Sequence, residues 1–291
     1  MEGKTAIVTG AGAGLGRAEA LALAKAGASV VVNDVSEAAA GVVDEIAALG
    51  AEAVLVTGDI GERATADALV SAAERLGGLH VVVNNAGFCR DRMIFSMSDE
   101  EWDSVVRVHL RGHFLLSRNA GAYWKARSKA AGAPVYGRVV NTTSEACLFG
   151  SVGQPNYAAA KAGIAALTVA TARGLERDGV RATAICPRAR TAMTENVFGD
   201  SPVDGVDPMS VDHVAPFVAF LAAPAADKIN GQVFVVHSGM VVLMAPPTVE
   251  ARFDAAGQLW TADDLVDQIG GYFDDRDPER IFAANELKNL P

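Results

Sequence analysis

A chain of 291 residues, 50% hydrophobic and 21% charged, is long and apolar enough to bury a large core as one α/β domain or two small ones. Its 25 Lys and Arg against 35 Asp and Glu leave a net charge of −10, which argues against nucleic-acid or anionic-membrane binding. Three widely spaced cysteines without a C-x2-C pair read as free thiols of a reducing cytoplasm, and five histidines without metal-ligand spacing predict no metal.

The start, Met1-Glu2-Gly3-Lys4, leads straight into a β-branched run, so no signal peptide is expected and Thr5–Val8 reads as a buried strand. Gly10-Ala11-Gly12-Ala13-Gly14-Leu15-Gly16 follows, then a helical pattern from Arg17 to about Lys25 that stops at Gly27. Strand, glycine turn and helix form the context of a dinucleotide site: glycines let the backbone approach a pyrophosphate, and the helix N-terminus offers it unpaired N–H groups. The spacing is T-G-x3-G-x-G rather than G-x-G-x-x-G. A second strand, Ser29–Asn33, ends at Asp34. A carboxylate there suits the ribose 2′-hydroxyl of NAD and repels a 2′-phosphate, and neither Ala13 nor Val35 supplies a neutralising base. The competing reading of Asp34 is a cap on a helix beginning near Ser36.

Further strands are expected at Ala53–Thr57, His80–Asn84, Gly137–Asn141, Arg181–Ile185 and Gln232–Val236, with helices between them. Such a pattern predicts a Rossmann-type doubly wound, seven-stranded parallel sheet with helices on both faces. Gly10, Asp34, Asp59, Asn85, Ser144 and Pro187 all fall at strand carboxyl ends, where ligands bind in such sheets. Tyr157 and Lys161 stand four apart, one helical turn, with Ser144 thirteen residues upstream of the tyrosine. An ammonium beside a phenol favours the phenolate, and the expected result is a general acid/base working near neutral pH.

Thr9 to Gly16, Asp59, Asn84-Asn85-Ala86-Gly87, Ser144, Tyr157-Ala158-Ala159-Ala160-Lys161 and Pro187 together resemble the short-chain dehydrogenase/reductase family over roughly residues 1–243. Phe88 to Met93, Ser98 to Asp103, Arg107 to Gly112 and Pro187 to Thr194 look like one branch, the (3R)-hydroxyacyl-CoA and hydroxysteroid dehydrogenases related to multifunctional β-oxidation enzymes. The resemblance implies an NAD-dependent oxidoreductase acting on a secondary alcohol, a 3-hydroxyacyl-CoA or a steroid, as a tetramer or dimer. It implies that Tyr157 exchanges the proton, Ser144 holds the substrate oxygen and Lys161 holds the nicotinamide ribose. It further implies that Gly10, Gly12, Gly14, Leu15, Gly16, Asp34, Asp59, Ile60, Asn85, Ala86, Gly87, Tyr157, Lys161, Pro187 and Thr191 line the cofactor, Asp59 at the adenine edge. His109 stands where many members carry Asn, whose backbone carbonyl holds a relay water; it reads either as that relay member or as a satisfied core histidine. Arg188 replaces the common Gly, and either stiffens the backbone or meets a substrate or cofactor anion.

The alternatives are an NADPH-dependent 3-oxoacyl-carrier-protein reductase, which Asp34 opposes, and a non-catalytic NAD-binding protein, which the intact Ser144, Tyr157 and Lys161 oppose. Arg90, Arg92 and Arg111 are the candidates for CoA phosphates, though solvated surface arginines are the leading reading of them. Lys125–Pro134 reads as an exposed excursion and Met193–Ser210 as a long polar connection, which the family resemblance implies covers the substrate. The longest apolar stretch, Val214–Ala226, is 13 residues broken by Pro216 and Pro224, too short to cross a bilayer. Pro246-Pro247 marks a boundary between a catalytic domain, 1–245, and a C-terminal extension, 246–291, with an amphipathic helix capped by Thr261. The ending Asn289-Leu290-Pro291 is not a peroxisomal address.

Overall fold

The structure, a computed structural model, describes residues 1–194, 198–202 and 204–289. Part of the predicted substrate-covering loop and the last two residues of the C-terminal tripeptide therefore lie outside the described residues. One sheet organises residues 1–244, in the order β3-β2-β1-β4-β5-β6-β7-β8. The strands are β1 (Thr5–Thr9), β2 (Ser29–Asp34), β3 (Ala53–Thr57), β4 (Val81–Asn84), β5 (Gly137–Thr142), β6 (Val180–Pro187), β7 (Val233–His237) and β8 (Met240–Leu243). The first seven are parallel, as expected, and the order reverses between β1 and β4. The sequence reading gave seven strands; the eighth runs antiparallel to β7, with His237 opposite Met240. The turn between them places Ser238 at φ 50 and Gly239 at φ 75, the doubly positive pair a two-residue hairpin needs.

Alternating residues of each strand face opposite layers. Ala6, Val8, Val30, Val32, Val81 and Val83 pack against Leu23 of α1 (Gly14–Lys25), Ile46 of α2 (Ala40–Ala48) and Val218 of the helix Ala215–Ala222. Ile7, Val31, Val82 and Val139 pack against Leu69 of α3 (Arg63–Arg75) and against α5 (Gly112–Ala131), through Leu116 and Trp124. Burying each such side chain contributes about 1.5–3 kcal/mol, so both faces of the sheet resist separation and the strand ends are held firmly. Helix α1 begins at Gly14, three residues before the periodic pattern does, because the glycines themselves enter the first turn.

Residues Ala245–Pro291 form a second compact unit. Thr261 caps its helix as expected, in a reciprocal box with Asp264. The helix runs Ala262–Leu265, passes through a wider turn at Val266–Gly270 and continues to Asp274. Tyr272 packs edge-on to both Phe253 and Phe273, and Glu250 takes Arg276 at 3.0 Å and Arg280 at 3.2 Å.

Candidate active site

The turn after β1 is built so that no side chain fits inside it. A Cβ at Gly10 would lie 2.8 Å from the Ala86 Cα, and one at Gly16 would collide with the Gly10 carbonyl oxygen and the Asn85 side chain. Asn85 explains the second clash. Its Nδ2 donates to the carbonyls of Thr9 at 3.1 Å and Gly10 at 3.3 Å, while its own N–H and that of Ala86 donate to the Thr9 hydroxyl. The end of β4 thus ties down the turn after β1. Gly12 donates its N–H to Asp34 Oδ2 at 3.0 Å, and a Cβ there would strike that oxygen. The other Asp34 oxygen accepts the Ser36 N–H, and it is Ser36 that caps the short turn beyond. Thr191 lies over Gly14, 3.3 Å from where its Cβ would project. Leu15 and Ile60 are buried, and Asp59 accepts Gly61 N–H at 2.7 Å and Arg107 at 2.6 Å. A Cβ-free cradle, helix N–H groups and a carboxylate at the tip of β2 fit an adenine dinucleotide.

From that cradle the contacts run on to Tyr157. Beyond Ala86 comes Gly87, whose missing Cβ is replaced by the His109 imidazole. The His109 ring stands edge-on to Tyr157, with centroids 5.2 Å apart. Tyr157 opens α7 (Pro155–Leu175), where Pro155 sets the first turn and the Asn156 carboxamide oxygen accepts the Tyr157 N–H at 2.7 Å. Ser144, just past β5, lies near enough to the Tyr157 phenol to act on its ionisation, and its hydroxyl accepts the Ala146 N–H at 3.2 Å. One turn along α7, Lys161 is buried, with Nζ 5.3 Å from the Tyr157 ring centroid and donating to the Thr142 carbonyl at 2.6 Å. Thr143 holds the Lys161 carbonyl at 2.7 Å. Ser144, Tyr157 and Lys161, expected together from their spacing, do meet, at the strand ends beside the glycine turn.

The electrostatics differ from the expectation. Burial pushes the Tyr157 phenol above its ordinary value; nearby Cys89 adds to the rise, and only the neighbouring Ser144 hydroxyl opposes it. Burial also pulls Lys161 down, to about 8. The spacing places an ammonium beside the phenol but does not report that both are desolvated, which disfavours either charge. In the protein by itself Tyr157 is therefore protonated and a proton donor.

A family model for short chain dehydrogenases matches residues 4–201. The chain belongs to the short-chain dehydrogenase family. It is similar to hydroxyacyl-CoA dehydrogenase ChsB1 of Mycobacterium tuberculosis, at 59% identity over 99% of this chain and 94% of that one. It is 39% identical to the mouse (Mus musculus) peroxisomal multifunctional enzyme type 2 over 82% of this chain, matching only 32% of that longer protein. A crystal structure of a short chain dehydrogenase from Mycobacterium avium superposes with a TM-score of 0.84 at 41% identity, covering 95% of this chain and 96% of the other. The protein is therefore an oxidoreductase of the family that uses a nicotinamide cofactor.

Two residues packed around Tyr157 and Ser144, His113 and Glu145, were not expected from the sequence. His109 lies in a wide helical turn, Arg107–Arg111, between α4 (Asp99–Val106) and α5, the kind of bulge that often marks functional positions. Its side chain is committed to the loop after β4, with Nε2 at 3.1 Å from the Phe88 nitrogen and 2.8 Å from the Phe88 carbonyl oxygen. One turn on is His113, fully buried, with the carbonyls of His109, Asn84 and Thr142 around its ring. Burial, then Lys161, hold its imidazole neutral down to about 3. All three cysteines are unpaired, and all three act electrostatically on Lys161. Cys147 donates its thiol to the Ser144 carbonyl at 2.9 Å, and burial raises Cys89 to about 11, so they serve as neutral packing. Pro187 ends β6, and the next residue, Arg188, pairs with the carboxylate of Glu145. Of the three arginines set out for CoA, Arg90 and Arg92 share one polar hollow, while Arg111 reaches back to the Gly61 carbonyl beside Asp59.

Proposed function

We propose that this dehydrogenase is NAD-dependent and interconverts a secondary alcohol and a ketone, its substrate a 3-hydroxyacyl-CoA or a hydroxysteroid. The observation that carries the reading is the convergence of Ser144, Tyr157 and buried Lys161 at the strand ends, one contact chain away from the glycine cradle. When bound, the nicotinamide supplies or accepts the hydride. Tyr157 gives its proton to the carbonyl oxygen, or takes it from the alcohol, and Ser144 holds that oxygen in place. Lys161, fixed on the Thr142 carbonyl, would hold the nicotinamide ribose hydroxyls, and a water held by the His109 carbonyl would carry the proton between Tyr157 and solvent. Gly10, Gly12, Gly14, Leu15 and Gly16 cradle the pyrophosphate. Asp34 takes the adenosine ribose, Asp59 and Ile60 the adenine, and Asn85, Ala86, Gly87, Pro187 and Thr191 the nicotinamide half.

Support for NAD over NADP is the Asp34 carboxylate, oriented by two backbone N–H groups. Support for a large apolar substrate with a polar end is the rim of the site. Arg92 N–H bonds the Gly153 carbonyl at 2.7 Å, tying the loop after β4, which carries Arg90 and the exposed Ile94 and Phe95, to the loop before α7, which carries the exposed Val152. The name of the Mycobacterium tuberculosis relative points to the acyl-CoA class. Among the described residues no helix is long and apolar enough to cross a membrane. We further propose a cytoplasmic homo-oligomer, a tetramer or dimer: the apolar hollow between α5 and α7, lined by Phe114, Gly121, Leu167 and Ala170, suits a second copy. A panel of hydroxyacyl-CoAs, hydroxysteroids and simple alcohols, run with both cofactors, tests the reading. Faster NADPH oxidation with a β-ketoacyl thioester, by about tenfold or more over NADH, would replace it with the carrier-protein reductase reading. NAD binding without turnover of any substrate would replace it with the non-catalytic one.

A further inference from the structure

Where β5 and β6 end, the chain carries an ion pair that neither catalysis nor cofactor binding by the residues above requires. Arg188 Nε lies 2.5 Å from Glu145 Oε2, and Arg188 Nη2 lies 2.8 Å from Glu145 Oε1. The side chains are 20% and 8% exposed. Stability alone does not account for such a pair, since desolvating two ions costs about as much as their attraction returns, and well-packed apolar residues do as well. What a two-pronged pair supplies is a fixed geometry.

The geometry it fixes is that of the reaction centre. The β5–β6 register ends with Thr142 opposite Ile185, and Thr143 N–H still bonds the Ile185 carbonyl at 2.8 Å. Beyond that point the two chains separate, one into Ser144 and the short helix Ala146–Phe149, the other into Pro187 and the loop that carries Thr191. Glu145 directly follows Ser144, and its carbonyl accepts Leu148 N–H at 2.8 Å and Phe149 N–H at 3.1 Å, so its backbone is the first turn of that helix. Arg188 directly follows Pro187 and is tied to β7 through the Val236 carbonyl at 3.1 Å. At the end of β7, His237 is fully buried with Nε2 unpartnered, and Arg188 and Glu145 are the leading charges acting on it. Three neighbouring strand ends thus converge on one ion pair.

We propose that Glu145 and Arg188 are positioning residues: their ion pair sets the distance between Ser144, which holds the substrate oxygen, and the Pro187 turn, against which the nicotinamide lies. The inference rests on the assignment of Ser144 and Pro187 made above. Neither side chain touches the reacting atoms. Losing either one breaks the pair that links the end of β5 to the end of β6, and the hydroxyl and the turn drift apart; near-attack geometry tolerates little of that.

The test uses the full chain with Glu145→Gln, Arg188→Gln, Arg188→Lys and the double glutamine variant. Each single glutamine variant should lower kcat by about tenfold or more while leaving the NAD dissociation constant little changed, because the glycine cradle is untouched. The double variant should be no slower than the worse single, since both remove the same contact. Arg188→Lys, which keeps the charge and loses the fork, should fall between wild type and Arg188→Gln, and it serves if the glutamine variants do not fold. Amide hydrogen exchange of the protein without cofactor gives a second reading: residues 143–149 and 185–190 should exchange faster in the single variants while β1 and α1 stay protected. That measurement keeps its meaning even if the wild-type protein turns over none of the proposed substrates. Wild-type kcat in both single glutamine variants, kcat losses that multiply in the double, wild-type kcat in Arg188→Lys, or unchanged exchange in the two segments would overturn the proposal.

Discussion

Around the turn after β1, the contacts that shape the site involve main-chain atoms. Asn85 holds two carbonyls, Asp34 holds two N–H groups, and the glycines leave room where a Cβ would collide. Around Tyr157, side chains meet one another: Lys161 beside its ring, His109 edge-on to it, and Arg188 on Glu145. The first arrangement binds a shape that is the same in every dinucleotide. The second must hold a proton path and a particular substrate oxygen, and it does so with desolvated groups whose charge states depend on one another. A backbone-built site tolerates almost no added volume, whereas a site built from side chains tolerates volume and is sensitive to the loss of one polar atom.

The largest effect that separates the two regions is expected from Tyr157→Phe. The ring and its packing against His109 remain, and only the hydroxyl is lost, so kcat should drop by about 10²–10⁴-fold while NAD affinity, measured by equilibrium binding, changes little. A variant keeping more than about a tenth of the wild-type rate is incompatible with proton transfer through this phenol. Gly16→Ala should do the converse. Its Cβ meets the Gly10 carbonyl and comes 2.5 Å from Asn85 Nδ2, and such overpacking costs about 1–3 kcal/mol. Thermal denaturation and NAD titration should both register the loss. An alanine there that binds NAD as wild type does would show that the turn is looser than its contacts imply.

The same contrast explains what the sequence made legible. Glycines at 10, 12, 14 and 16 are forced by local geometry, so their spacing announces the turn. The Val-, Ile- and Ala-rich runs announce seven strands because the inner ones are buried on both faces and the edge strand β3 packs partly buried side chains on both. Ser144, Tyr157 and Lys161 could be paired because one helical turn and one strand end bring them together. Strand β8 carried no such signal, since its turn relies on Ser238 in a conformation serine seldom adopts. Arg188 stayed ambiguous because its partner lies 43 residues earlier in the chain, a separation no local pattern encodes. The direction of the Tyr157 shift was misjudged because spacing reports a neighbour's charge and not the burial that outweighs it.

Glu19 is the exception on the nucleotide side. It lies on α1, fully buried, with neither carboxylate oxygen hydrogen-bonded, and burial raises its pKa to about 8. The unfolded carboxyl ionises near its model value of 4.5, so the folded state retains a proton that the unfolded state releases between those two values. The sign follows: below that window there is no penalty, stability falls as pH rises through it, and the loss levels off above about 8. At 1.36 kcal/mol per unit, the cost near pH 7 is about 3 kcal/mol. Glu19→Leu should therefore be the more stable protein by an amount of that order, with a urea midpoint nearly flat from pH 5 to 8 where the wild type declines. Parallel pH profiles would mean that the carboxyl finds a partner or water when ionised.

The smallest effect, and the one that bears most directly on the cofactor, is expected from Asp34→Ala. Two properties of this carboxylate are separable. As an acceptor for Gly12 and Ser36 it shapes the turn, and as a charge it disfavours a 2′-phosphate. Removing it should narrow the ratio of kcat/KM for NAD over NADP by about tenfold, the equivalent of roughly 1.4 kcal/mol and within the range of one charge-assisted hydrogen bond. Asp34→Asn separates the contributions: the amide oxygen can still take one of the two N–H groups, but the charge is gone. If the charge does the discriminating, both variants lose NAD preference equally and only the alanine loses thermal stability. If the turn geometry does it, the asparagine keeps most of the preference. An unchanged NAD/NADP ratio in both would remove Asp34 from cofactor selection and leave the choice to residues elsewhere along the cleft.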